Sequence, residues 1–397
     1  MAAEGGEGAE VRVLHVVRRF VPLEGGTERY VHDLASAQAR RGHEVRVVTL
    51  DRDCTGVVSG RLPRRGDHDG VHVERLRGTG GRRWAVTWDP LALIREIRRS
   101  EVVHIHDLRF MLGASAVAAR ELGRPLIVHT HGLVFHTTSL AWLKNLVFAA
   151  YYTPVLRLAD AAIIAVSPSD AELVKVHATP LARRVRQLDA AIDLRPYRRV
   201  RRNPHPGALL YFGRIDANKG LDRLMDRLGE LPGEWTLTVA GDGPRCHRTD
   251  LQHRAERLGI AERIRWSGRY TQGDLERLLG TAAAAVFPSR AEGFGLTLVE
   301  AMAAGVPVVA SGISSYSRIL GGGRFGTVVD FDTPDATVAI AEVLAGRGLV
   351  AAMPARSRAE DYAIEKLANR IDGLYADLGL RALDSNIHQR NRGSSHR

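Results

Sequence analysis

Residues 11–17, Val-Arg-Val-Leu-His-Val-Val, have the composition of a strand buried on both faces. They run into a turn-rich segment at 22–26. A helical pattern follows, with apolar Tyr30, Val31, Leu34 and Ala35, and stops at Arg41-Gly42. Residues 45–50 read as strand again. Strand, loop, helix and strand form the opening unit of a parallel sheet, since a parallel partner needs a crossover of about this length. Further short strands are expected at 102–105, 126–129 and 161–166. Ser167-Pro-Ser-Asp-Ala-Glu172 after the last is a capped helix start with early acids.

The pattern then breaks and begins a second time. Residues 181–206 carry eight arginines (183, 184, 186, 195, 198, 199, 201 and 202) and end Asn203-Pro-His-Pro-Gly207, the composition of a linker. Beyond it, strands are expected at 208–212, 235–240, 264–267, 284–287 and 306–310, with helices at 221–228, 250–258 and 298–304. The chain therefore reads as an α/β protein of two doubly wound domains with a cleft between them. The expected divisions are a first domain at 1–195, a linker at 196–206 and a second domain at 207–360. A helical segment at 361–380 would cross back to the first domain, and a polar disordered tail would occupy 384–397. In that segment Ile364, Leu367, Ile371, Leu374, Tyr375 and Leu378 share one helical face, which predicts packing rather than membrane anchoring.

Composition narrows the partners. Lysine and arginine total 56 against 45 acids, a net charge of +11, so an anionic partner is expected: nucleic acid, an anionic membrane or a phosphorylated substrate. Cys54 and Cys246 are too few for a disulfide framework or a cysteine-based zinc site and read as free thiols. Residues 1–10 lack the apolar core of a signal peptide. The most apolar stretch, 146–166, is interrupted by Pro154, Arg157 and Asp160, so no transmembrane span is expected. These features predict a cytoplasmic protein, working at the inner face of a membrane.

The second half carries the informative motifs. Gly213-Arg214 follows the strand at 208–212 and Lys219-Gly220 precedes the next helix, which sets two cations where a diphosphate would be met. Gly241-Asp-Gly243-Pro follows the strand at 235–240, where glycine permits close approach of a ligand. It is not the dinucleotide fingerprint, which needs a third glycine and a direct helix start. Ser289-Arg-Ala-Glu292-Gly293-Phe294-Gly295-Leu296-Thr-Leu-Val-Glu300 follows a strand and opens a helix. Its glycines free backbone N–H groups for an anion. Glu300 is placed to accept two ribose hydroxyls, and Glu292 to reach a sugar hydroxyl.

In this order Gly-Arg-(x4)-Lys-Gly, Gly-Asp-Gly-Pro and Glu-Gly-Phe-Gly-Leu-(x3)-Glu-Ala-Met-Ala-x-Gly-x-Pro-Val-Val resemble the retaining GT-B glycosyltransferases, the group 1 or family 4 type. The second half matches to about residue 345. In the first half Gly25-Gly26-Thr-Glu28, His104-Ile-His106-Asp107 and His129-Thr-His131-Gly132 match in places. Residues 132–137, with His136, resemble the subset that adds α-mannose to lipid-linked exopolysaccharide precursors. The usual Asn-Gly before the hinge is replaced by Ala190-Ala191, with Asp193 kept. The resemblance implies two Rossmann-like domains and transfer of a hexose from a nucleotide sugar, with no cofactor and no metal. The first expectation is mannose from GDP-mannose to a glycan or lipid-linked acceptor, and the alternative is a UDP-hexose-dependent transferase. Arg214 and Lys219 would neutralise the leaving diphosphate, helped by amides near Gly295 and Leu296, and by Gly25 and Gly26 from the other domain. Glu300 would bind ribose, Glu292 and His131 the donor sugar, and Glu28 or Asp107 would lie on the acceptor side. Residues 241–245 and 268–270 would face the base.

Two rival chemistries follow from residue spacing. Asp51-Arg-Asp53, Asp67-His-Asp69 and Asp330-Phe-Asp332 each have the Asp-x-Asp spacing of metal-dependent transferases, but three occurrences in one chain show how common the pattern is. His104, His106, His129 and His131 offer zinc ligands on two neighbouring strands, although such i, i+2 pairs are ordinary. A nucleic-acid protein would interleave aromatics with its basic residues. Aromatics are 6% here, and the arginine runs are not interleaved with them. Ten arginines against five acids between 56 and 100 instead predict a basic face for an anionic membrane bearing the acceptor.

Overall fold

In a computed structural model of the chain, the described residues are 10–380 without 24, 54–59, 81–84, 107, 109, 132–145, 178 and 348. The chain forms two compact units, one up to Ala191 joined by the segment from Ile364 onward, the other Ile192–Ala363. The motif residues Asp107, Gly132 and His136, and also Cys54, lie outside the described residues.

The first unit holds β1 (Arg12–Val16), β2 (Glu44–Leu50), β3 (Arg65–His68), β4 (Val71–Leu76) and a small hairpin of β5 (Gly78–Gly80) with β6 (Ala85–Thr87). It continues with β7 (Val102–Ile105), β8 (Leu126–His129), β9 (Ala162–Ala165) and β10 (Val185–Gln187). The main sheet runs β10-β9-β8-β7-β1-β2-β4-β3. It is parallel apart from the β3–β4 pair. Leu14, Val16, Val48, Leu50, Val103 and Ile105 are buried in its core, which accounts for the continuous apolar runs. The helix Ile364–Asp377 belongs to this unit. It lies on the helix Gly26–Arg40, where Gln38 Nε2 donates to Tyr375 Oη at 2.6 Å and the Arg41 guanidinium meets Asp372 at 2.6 Å.

The second unit holds β11 (Ala208–Phe212), β12 (Thr236–Ala240), β13 (Ile264–Gly268), β14 (Ala284–Phe287), β15 (Val308–Ser311) and β16 (Thr327–Val329). The order β13-β12-β11-β14-β15-β16 is parallel throughout. The chain steps from β11 out to β13, then returns to start again at β14. Loops leaving the carboxyl ends of β11 and β14 therefore diverge, and such a switch point leaves a crevice for ligands. β1 and β7 hold the same position in the first unit.

The arginine-rich linker segment is tied down along its length. Asn203 and His205 donate backbone N–H groups to the Gly280 and Thr281 carbonyls, and Arg202 reaches Ala282 O at 2.7 Å. Arg198 pairs with Glu360 at 2.5 Å. Ile192, after the substituted Ala190-Ala191, donates to Tyr362 O at 3.1 Å.

Candidate active site

Both cationic motif residues, Arg214 and Lys219, lie on the loop that leaves the carboxyl end of β11. β11 ends at Phe212, and Tyr211 Oη then holds the turn by donating to the Arg214 carbonyl at 2.6 Å. The Arg214 side chain is 81% exposed, with the Asp216 carboxylate 3.6 Å away. Asp216 caps the short turn Ala217–Lys219 by accepting from Asn218 N at 3.0 Å. Lys219 closes that turn, and its Nζ is paired with Glu292 Oε2. The two side chains are 12% and 19% exposed, so the pair is sheltered.

Glu292 lies on the loop between β14 and the helix Leu296–Ala303, and the protein fixes that loop in three places. Arg223, on the helix Leu221–Gly229, donates to the carbonyls of Pro288 (2.7 Å) and Ser289 (2.9 Å) and to Ser311 Oγ (3.1 Å), and pairs with Asp332 at 2.8 Å. Ser289 Oγ is bonded to Tyr316 Oη at 3.0 Å, and burial pushes that phenol's pKa up. Arg290 makes a two-pronged contact with Asp222 at 2.6 and 2.7 Å, which holds that carboxyl below its usual range.

Two glycines are required by close packing. Gly241, at the end of β12, has φ 142°, and a methyl group there would land on the Gly213 carbonyl oxygen. The β11 and β12 loops therefore touch backbone to backbone, with Gly243 set against the Ile215 carbonyl in the same way. Gly295 has φ 105° at the N-cap of the helix, where a methyl would enter the Tyr316 ring. Phe294 is buried, edge-on to Tyr362 at 5.5 Å, with the Arg318 guanidinium 5.1 Å over its ring. Gly293 separates it from Glu292. Leu298 and Val299 donate to the N-cap Gly295 carbonyl at 3.0 and 3.5 Å, so the helix-start N–H groups ahead of that ladder are those of Leu296 and Thr297, and Glu300 stands one turn in, 4% exposed. Gly241→Ala is expected to cost about 1–3 kcal/mol of strain. At ~2–4 °C per kcal/mol that lowers the melting temperature by several degrees. An unchanged thermal unfolding curve would show that the loops do not meet as closely as described.

At the β1–β7 switch point of the first unit the histidines converge. His104 Nδ1 bonds His129 Nε2 at 2.9 Å, and His106 Nδ1 bonds His131 Nε2 at 3.1 Å. His15, on β1, reaches His106 at 2.8 Å and Gln38 at 2.7 Å. Two triples, His15–His104–His106 and His106–His129–His131, bring ring nitrogens within 4.8 Å of one another, close enough to hold a metal ion. The ring nitrogens are also paired with one another through these hydrogen bonds. Burial lowers the His15 pKa to about 4 and takes those of His104, His106 and His129 well below the usual value. His131 has φ 42°, a left-handed conformation that side-chain-bearing residues adopt at some cost. Gly25 and Gly26 open the adjacent helix, and Glu28 in its first turn is buried and paired with Arg19 at 3.3 Å.

The Asp-x-Asp carboxylates have partners within the protein. Asp53 meets Arg19 at 3.2 Å, Asp51 meets Arg61 at 3.4 Å and Asp332 meets Arg223. Asp67 pairs with His72, Asp69 faces His32 at 3.4 Å, and Asp330 accepts the Asp332 backbone N–H at 2.9 Å.

The family described as glycosyl transferases group 1 matches residues 198–366, and the glycosyl transferase 4-like domain matches residues 25–186. A GDP-mannose:cellobiosyl-diphosphopolyprenol alpha-mannosyltransferase of Xanthomonas oryzae pv. oryzae is 33% identical over 341 residues, 84% of this chain and 87% of that protein. The chain belongs to the group 1 glycosyltransferases. A protein of the same description from Komagataeibacter xylinus is 31% identical over 328 residues, 81% of each chain. The crystal structure of Anabaena Alr3699/HepE in complex with UDP-glucose superposes with a TM-score of 0.71 at 18% identity, covering 93% of this chain and all of that one. The fold is GT-B, built from two Rossmann-like units.

In this glycosyltransferase, Gly213, Arg214, Lys219, Gly241, Gly243, Glu292 and Gly295 all lie on loops leaving the carboxyl ends of β11, β12 and β14. His131 and Gly26 lie at the carboxyl edge of the other sheet, on the segments after β8 and β1. The residues that sequence reasoning missed are those that hold the others. Arg223 and Tyr316 fix the Glu292 loop, and His15, Gln38 and Tyr375 extend the histidine cluster. Arg223 lies four positions after Lys219 on a strongly amphipathic helix, where a charge on the buried face was the available signal.

Proposed function

We propose that this glycosyltransferase is a retaining, metal-independent α-mannosyltransferase that moves mannose from GDP-mannose to a lipid-linked glycan. The observation that carries the reading is the sheltered Lys219–Glu292 pair at the switch point between β11 and β14. A crevice holding one fixed cation, helix-start amides from Leu296 and a buried carboxylate at Glu300 fits a nucleoside diphosphate sugar: phosphate on Lys219 and the amides, ribose on Glu300. As the diphosphate departs, charge gathers on its oxygens, and Lys219 and Arg214 stabilise it where it forms. Glu292 holds a donor hydroxyl near the anomeric carbon, while His131 and the Gly25-Gly26 amides serve from the first unit. Mannose and the diphosphopolyprenol-type acceptor are taken from the relatives' names. The test is turnover of GDP-mannose with EDTA present, followed by product mass. Turnover of UDP-glucose alone, or none without a divalent metal, would refute it.

A lipid-linked acceptor favours work at an anionic membrane, and the side-chain pairing narrows the expected contact within residues 56–100. Much of the basic run from 56 to 100 is internally engaged: Arg61 meets Asp51, Arg64 and Arg65 meet Glu74, and Arg75 is buried. The helix Pro90–Arg99 is better suited: Arg95 and Arg98 are exposed beside Trp88 and Leu91, which are 66% and 71% exposed, while Arg99 is paired with Glu96 at 3.1 Å. No helix among the described residues is long and apolar enough to cross a membrane. Sedimentation with anionic but not neutral liposomes is expected, and Trp88→Ala with Leu91→Ala should cut the bound fraction severalfold. Equal recovery of the double variant and the parent would exclude this helix as the contact.

A further inference from the structure

The histidine cluster is one continuous hydrogen-bonded chain with a single amide in its middle. Gln38 Oε1 is 2.7 Å from His15 Nε2, and Gln38 Nε2 is 2.6 Å from Tyr375 Oη. On one side the chain runs from His15 Nδ1 to His106 Nε2 (2.8 Å) and from His106 Nδ1 to His131 Nε2 (3.1 Å). On the other it runs from Tyr375 Oη to His104 Nε2 (2.8 Å), from His104 Nδ1 to His129 Nε2 (2.9 Å), and from His129 Nδ1 to Tyr30 Oη (3.2 Å).

An amide oxygen only accepts and an amide nitrogen only donates. His15 must therefore carry its proton on Nε2, and its Nδ1 accepts. His106 then donates from Nε2 and accepts at Nδ1, so His131 donates from Nε2. On the other arm Tyr375 accepts from Gln38 and gives its own proton to His104 Nε2. His104 then donates from Nδ1, and so does His129. With Gln38 in this orientation the contacts just named are all satisfied with neutral rings, whereas the reversed amide would invert every ring, so the amide's orientation selects the tautomers; burial favours the neutral form at His15, His104, His106 and His129.

We propose that Gln38, clamped by Tyr375, is a positioning residue that sets the proton positions of all five histidines and so presents His131 with its proton on Nε2 and its Nδ1 as acceptor. This rests on the reading of His131 as a donor-sugar contact: an accepting Nδ1 takes a sugar hydroxyl proton. Tyr375 comes from the helix Ile364–Asp377, so the far end of the chain reaches the site through this link.

The test is long-range 1H–15N spectroscopy of the histidine-labelled full chain at pH 7 with EDTA. The expected result is Nε2–H at His15, His106 and His131, and Nδ1–H at His104 and His129. A reversed ring, or an imidazolium among the five, would overturn the proposal. So would uptake of one equivalent of Zn²⁺ by the chelator-stripped protein with loss of these signals. Gln38→Glu replaces the donating amide nitrogen with a second acceptor, so Tyr375 must turn to it. His104 and His129 should then switch to Nε2–H while His131 keeps its proton, and unchanged rings would contradict the amide's control. Gln38→Leu frees both arms and is expected to lower kcat about tenfold with donor KM within twofold. Scrambled tautomers with wild-type kcat would uphold Gln38's control of the ring protons but remove His131 from the donor site.

Discussion

Lys219→Ala is expected to lower kcat about a hundred- to a thousandfold, or ~3–4 kcal/mol, the scale of losing one charge-stabilising donor. The expectation rests on how Lys219 is held. Its side chain is 12% exposed and its ammonium is paired with Glu292, so the cation is aimed before any donor arrives. A preorganised charge need not be reoriented as negative charge builds on the leaving diphosphate. Removing it also leaves the Glu292 carboxylate sheltered without its counter-ion, so Lys219→Arg is the necessary companion. Arginine keeps the charge but presents a planar fork where a point charge sat, and should recover only part of the rate. On the proposed reading Arg214 would act on the same phosphates from a different starting point. Its side chain is 81% exposed, with the Asp216 carboxylate 3.6 Å away. Arg214→Ala should therefore lower kcat without moving the melting temperature. Wild-type kcat for Lys219→Ala would refute the assignment of the leaving-group site.

The second unit was legible from local pattern because its strands are continuous apolar runs and its site residues sit immediately past them. β14 appears at the expected 284–287, and β11 at 208–212. The helix expected at 250–258 begins five residues earlier, at Arg245, because Arg245, His247 and Arg248 are polar and escape an apolar-face criterion. β3 and β4 were hidden for a related reason. Charge between 56 and 100 looked like surface, yet Glu74 and Arg75 are buried in β4, Glu74 paired with Arg64 and Arg65 and Arg75 donating to the Pro63 and Val21 carbonyls. Pairing at such distances leaves no periodic trace. The histidines were visible as two i, i+2 pairs. Their union with His15 depends on β1 lying beside β7, and with Gln38 and Tyr375 on two helices 337 residues apart at that contact, which only tertiary structure supplies.

Arg223→Ala should show the largest combined loss of stability and activity among residues that touch no substrate. Arg223 is 9% exposed and satisfies the Pro288 and Ser289 carbonyls and the Ser311 hydroxyl at once, while its charge meets Asp332. Truncation strands those acceptors in a buried place, at about 1–3 kcal/mol for a buried group left unsatisfied. A net loss of about 3 kcal/mol at ~2–4 °C each predicts a melting temperature lower by roughly 6–12 °C. The loop so released carries Glu292, four residues past Pro288, and a shift of about 1 Å in a positioning element can cost ~100-fold in rate. That loss should persist at saturating donor, since geometry rather than affinity is damaged. Arg223→Lys should fall between, because one ammonium cannot span four acceptors that a guanidinium fork reaches together. Arg290→Ala is the contrasting control: its partner Asp222 is partly exposed, its side chain is 43% exposed, and a surface pair contributes about 0–1 kcal/mol. If Arg223→Ala melts with the wild type and turns over normally while Arg290→Ala does not, the loop is held from the outside, and Arg223 is not its anchor.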